Sequence, residues 1–185
     1  MGVWLDIVGS ALIGSLLLLN LMGVGSLISE QGFRNVLNYA TQGDISAMAE
    51  IVEHDLVKAG FRVSGTAVDL ADTSQVRFLA DIDANGVVDT LHYYSGAVME
   101  LAHTPNPEDR ILYRVENGDT AGAVKMYVTD FNLSYFNANG DSLAMPVNTS
   151  DIRHIRVRFV AESQVPYDTS YEMSFVELNI RPKNL

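Results

Sequence analysis

No cysteine occurs in the 185-residue chain, so neither a disulfide framework nor thiolate chemistry is open to it. Basic residues are scarce: 12 Lys and Arg stand against 23 Asp and Glu, a formal net charge of −11. Phosphate backbones and anionic membrane surfaces are gripped by clustered cations, so this balance argues against a nucleic-acid partner and against electrostatic adsorption to lipid. Catalytic patterns are missing as well. His54, His92, His103 and His154 are scattered without the spacing of zinc ligands, and no serine lies in a nucleophile elbow. Asp151 and His154 share a segment that reads as a polar strand edge. A protein without enzymatic activity is expected, built as one globular domain plus an extra element.

Charge is missing altogether from Ile7 to Ile28, where only Ser10, Ser15, Asn20, Ser26 and four glycines interrupt an apolar run. About twenty such residues form a helix roughly 30 Å long, enough to cross a bilayer core. A cleavable signal peptide opens with basic residues and has a short apolar core. This chain has no Lys or Arg before Arg34, and the run is too long, although Gly23 and Gly25 mimic a cleavage site. Small residues at Gly9, Ser10, Ala11, Gly14 and Ser15 let helix backbones approach closely, while glycine is also simply common in membrane helices. Asp6 stands at the mouth of the run. A carboxylate beside hydrocarbon needs a partner, and the nearest cation on offer is an α-amino group, its own or a neighbouring chain's.

Beyond Glu30 the pattern turns amphipathic. Phe33, Val36, Leu37, Ala40, Ile45, Met48, Ile51, Val52 and Leu56 recur at three- and four-residue steps, predicting a helix packed on a sheet. Gly43-Asp44 predicts a kink or a new start, and Lys58 with Gly60 marks the end. From Phe61 the period changes to two. Strands are predicted at 61–64, 75–81, 87–94, 111–116, 124–133, 151–161 and 172–181, the best being RHIRVRFVA and YEMSFVELNI. The expected organisation is a hydrophobic helix over 1–29, an amphipathic helix over 30–60 and an antiparallel β domain over 61–185, an α+β layout.

The turn at ADIDANGVVDT sets Asp81, Asp83, Asn85 and Asp89 around Gly86. This matches the first nine positions of a calcium loop, in which alternate oxygen donors converge, Val87 lends its carbonyl and Val88 is the apolar anchor. The closing glutamate is replaced by His92, and the flanks read as strands. An acid-rich hairpin with an Asn-Gly turn accounts for the same letters without a metal. The turn at Asn137–Asp141 has fewer carboxylates and reads as a turn only. Sequons at Asn132 and Asn148 matter only for an exported chain.

Taken in order, an apolar helix with one acid near its start, an amphipathic continuation and a small antiparallel sheet resemble the type IV pilin and pseudopilin superfamily, especially its minor members. EHDLVKAGF (53–61) is similar to the family's helix end. FLADIDANGVVDTLHYY (78–94) looks like its strand-turn-strand. VTDFNLSYFNANG (128–140), IRHIRVRF (152–159) and the closing RPKNL resemble its last strands. The start departs from the pattern: no charged leader precedes the helix, and the acid is Asp rather than Glu. Counted from Gly2, Asp6 lies four residues in, where the family keeps its acid; counted from Met1 it lies five in.

The resemblance implies a subunit parked in the inner membrane, then packed with copies of itself or related pilins into a surface filament or periplasmic pseudopilus. It implies that Asp6 pairs with a neighbour's terminal ammonium and so sets the register, with Gly9, Ser10 and Gly14 in the helix contacts. The rival expectation is a monomeric, single-pass anchored domain that binds a ligand or partner outside the cytoplasm.

Overall fold

The computed structural model describes residues 2–185; Met1, and with it the amino-terminal group expected to meet the acid, lies outside the described residues. One helix, α1 (Gly2–Val57), is followed by β1 (Val68–Ala71), β2 (Gln75–Ala80), β3 (Asp89–Ser95), β4 (Arg110–Glu116), β5 (Val124–Val128), β6 (Asp130–Phe136), β7 (His154–Glu162) and β8 (Met173–Ile180). The first five strands form one antiparallel sheet in chain order, and the last three form a second. The α+β class is as expected, with two sheets where the sequence pointed to one.

At 1.5 Å per residue the 56 residues of α1 extend about 84 Å. The helix runs unbroken through Gly43-Asp44, with no new start there. A glycine inside a helix costs only about 1 kcal/mol, and Thr41 and Ile45, buried on either side of it, hold the helix to the domain. Burial along α1 begins at Thr41 and continues through Ile45, Met48, Ala49, Val52, Asp55 and Leu56, the spacing of one helical face. That face packs on β8 and β7. Phe33, Val36 and Ile51, placed on the same stripe by periodicity, remain largely exposed.

Three contacts fix the helix to the sheets. Asp55, only 3% exposed, accepts hydrogen bonds of 2.6 Å from both the Tyr93 hydroxyl and Arg114 Nε. Burial pushes the Tyr93 hydroxyl pKa far upward and the neighbouring carboxylate adds to it, so this group stays a donor. Burial alone would weaken the Arg114 cation, but Asp55 outweighs it and raises the guanidinium pKa. Next, Gly60 ends the helix at φ +83°, donating its N–H to Leu79 at 2.9 Å. A Cβ there would lie 2.6 Å from the Asn184 carbonyl oxygen, so the chain terminus closes over a position only glycine fits. Higher up, Glu172 accepts from Arg34 at 3.3 Å and Asn38 at 3.2 Å, and Arg34 stacks 4.7 Å over the Tyr167 ring.

Two strand boundaries differ from expectation for identifiable reasons. Residues 61–64 form a turn rather than a strand, because Arg62 takes φ +59° and Phe61 and Val63 bond back to Lys58 and Gly60. The predicted strand 124–133 is two strands in different sheets, parted at Thr129. The burial parity slips there, from Met126 and Val128 to Phe131, Leu133 and Tyr135, so one straight strand would turn half its apolar side chains to water. The edge strand β1 was not anticipated; four residues carry too little alternation to be seen.

Asp55→Ala leaves Arg114 and Tyr93 buried without their acceptor and is expected to cost about 3–5 kcal/mol. Urea unfolding of the detergent-solubilised chain, followed by circular dichroism, measures it, and adding Arg114→Met is expected to recover part of the loss. Gly60→Ala is expected to cost about 1–3 kcal/mol from the positive φ alone, with a further loss from displacing Asn184, read as a lower melting temperature.

Candidate functional site

Two features outside the core carry chemistry: the bare half of α1 and the acidic hairpin. Between Gly2 and Ala40 no residue of the helix is buried. Its leucines, isoleucines and valines are more than half exposed from Val3 through Ile28. Any of these side chains left in water forfeits about 1.5–3 kcal/mol that burial would return, so this surface must be covered by lipid or protein. The helix is long and apolar enough to cross a membrane.

Polar groups within this stretch are turned onto their own backbone. Ser10 donates to the Ile7 carbonyl at 3.0 Å, Ser15 to Leu12 at 2.9 Å, Asn20 to Leu16 at 3.1 Å and Ser29 to Gly25 at 3.0 Å. Each side chain bonded in this way carries one fewer stranded donor into a water-free surrounding. Asp6 has no such bond; it is exposed among Val3, Trp4, Leu5 and Ile7 with no side-chain partner among the described residues. Gly9, Ser10 and Gly14 lie in the bare stretch, and a Cβ at either glycine would meet nothing within 4 Å. Within one chain these glycines therefore serve no packing need.

The acidic hairpin is built by register. β2 and β3 pair from Gln75 opposite Tyr94 to Ala80 opposite Asp89, so Asp81, the residue just after β2, lies near Asp89 at the loop end. Asp83 folds over from the loop, and oxygens of the three carboxylates come within 4.8 Å of one another. They form the only group of three or more metal-capable side chains among the described residues. Asp81 is fully buried. Its Oδ2 accepts from Arg62 at 2.7 Å and from the Gly86 N–H at 3.0 Å, while its Oδ1 has no hydrogen-bond partner. Burial works to raise the Asp81 carboxyl, but these hydrogen bonds and the Arg62 charge hold it below its ordinary value.

The remaining expected donors are placed differently. Asn85 turns its side-chain oxygen to the Val87 N–H at 2.7 Å and its amide to Asp83 at 2.8 Å, bracing the loop from within. Val87 and Val88 are exposed, so Val88 is not the apolar anchor a calcium loop would have. Sequence reasoning missed three supports. Arg62 reaches Asp81 across the turn after the helix, Lys58 donates to the Ile82 carbonyl at 2.7 Å, and Asn117 donates to Asp89 at 2.9 Å from the β4–β5 turn. Asn117, at φ +52°, precedes Gly118 in a tight turn, and the Asn-Gly pair signals a turn but not the partner across it.

Asn132 projects from β6, and Asn148 precedes a short 3-10 turn, bonded to Asp151 at 3.0 Å. Asn137 closes the second glycine turn internally, accepting from the N–H groups of Asn139 and Asp141. His154 contacts Arg181 beside an open cleft lined by Phe136 and Arg156. Comparison with protein-family models, curated proteins and solved structures gave no match.

Proposed function

We propose that this chain is a pilin-like structural subunit. In this reading it is held in the inner membrane by the first part of α1 and then packed, through the same surface, into a surface filament or secretion pseudopilus. The observation that supports it most directly is the division of one unbroken helix. Its last turns belong to the core of the β domain, while none of its residues from Gly2 to Ala40 is buried and the contacts of that stretch with the domain lie near Arg34 and Asn38. A mere anchor needs about twenty apolar residues; here the 22 residues from Ile7 to Ile28, about 33 Å as helix, are joined to the domain by a stiff continuation with the clasp at Arg34. Such a rod transmits its position to the domain, as a stacked subunit requires.

The chemistry of Asp6 fits the same reading. Packed into a water-free bundle, a lone carboxylate is costly, and pairing with the terminal ammonium of an adjacent copy offsets part of that cost in one axial register only. Gly9, Ser10 and Gly14 would allow the close helix approach that such a bundle needs. The acidic β domain would then face water on the filament's outside.

Asp6→Ala is expected to reduce sheared surface filaments at least about tenfold, because an ammonium left unpaired in a dry core costs several kcal/mol. Asp6→Glu should retain most of the yield, and the membrane-bound pool should be unchanged in both. The assay is electron microscopy of sheared material, with this chain identified by mass spectrometry. Equal filament yield from Asp6→Ala would overturn the register role. A full chain that remains monomeric under every assembly condition would instead favour the anchored binding domain.

A further inference from the structure

We propose that Asp81, Asp83 and Asp89 form a calcium site at the loop end of the β2–β3 hairpin, where the loop meets the end of α1. The proposal stands on two separate observations. Three carboxylates converge to within 4.8 Å, and one oxygen of the most deeply buried of them, Asp81 Oδ1, is sealed from solvent with no hydrogen-bond partner. A buried carboxylate oxygen without a donor forfeits its hydration for nothing in return. A cation among the three acids supplies what is missing.

Charge points the same way. Among the described residues Arg62 is the sole cation in ion-pair contact with the cluster, and it engages the other oxygen of Asp81. Lys58 is directed to the Ile82 carbonyl instead. Three carboxylates facing one guanidinium leave two negative charges, which a divalent ion cancels. The donors are all oxygen, with no histidine or thiolate, which selects hard cations over zinc or copper. Calcium accepts irregular shells of about six to eight oxygens, whereas magnesium demands shorter bonds in a near-regular octahedron. An irregular loop with partly exposed Asp83 suits calcium, with water completing the shell.

The position gives the ion a structural consequence. Asp81 donates its N–H to the Phe61 carbonyl at 3.0 Å, and Ile82 takes the Lys58 ammonium, so the loop is already joined to the residues that end α1. Calcium would stiffen this junction between the helix and the first sheet. The site lies within one chain and does not depend on assembly, so its failure and that of the filament reading are separate results.

The test is calorimetric titration of the full chain in detergent micelles, stripped with chelator, together with melting curves in calcium and in magnesium. One calcium per chain is expected, with a melting temperature that rises as the site fills, since an ion that binds only the folded state must stabilise it. Asp83→Asn changes an exposed side chain and should melt at the wild-type temperature without calcium, yet bind calcium at least about tenfold more weakly, having lost a charged ligand. Absence of heat and of any shift at about 10 mM calcium, well above the range of weak extracellular sites, would overturn the proposal. So would an undiminished response in Asp83→Asn, or an equal one to magnesium.

Discussion

Asp55 holds the architecture together at the point where a rod becomes part of a globule. A long helix that contributes only its last turns to a core exerts leverage on that core, and apolar contacts alone resist sliding and rotation poorly because they lack direction. The carboxylate provides direction. It takes two short hydrogen bonds from different strands, Tyr93 of β3 and Arg114 of β4, so the helix is pinned both along its axis and about it. The charge is tolerated because Arg114 neutralises it and Glu116 holds the far side of the guanidinium at 3.0 Å.

Around that pin the helix divides into two solvent regimes without a break in its backbone. The C-terminal face is covered by β7 and β8, and the clasp of Arg34 by Glu172 and Tyr167 extends the grip several turns higher. Beyond it none of the described residues covers the apolar side chains, yet Ser10, Ser15, Asn20 and Ser29 already have partners on their own helix. The molecule is thus half finished by design of its own surface: folded at one end, and dependent on lipid or on other helices at the other.

The acidic hairpin belongs to the same junction. Its loop is bonded to Lys58 and Phe61, the residues that leave α1, and its buried acid is neutralised by Arg62 from the same turn. Helix end, left-handed turn and hairpin tip form one contiguous unit. The four residues with positive φ in it, Gly60, Arg62, Ala84 and Gly86, are where the chain reverses tightly enough to bring them together.

Local patterns were legible wherever one periodicity served one surface. The length of the apolar run, the alternation in β7 and β8, the Asn-Gly turns and the convergence of Asp81, Asp83 and Asp89 follow from spacing along the chain, because each involves neighbours in sequence. What spacing could not reveal is what lies across the fold. Asp55 reads as one more polar position on an amphipathic helix; only packing against β3 and β4 makes it the buried acceptor. Thr129 divides a run that looks like one strand because two sheets, not one, compete for its residues. Gly43 looks like a helix breaker until tertiary contacts on both sides outweigh its flexibility. The sequence alone thus determined most of the helix, strand and turn segments and that the first of them is too oily for water; the tertiary structure decided which polar groups are buried and paired, since that depends on residues 19 to 138 positions apart meeting in space.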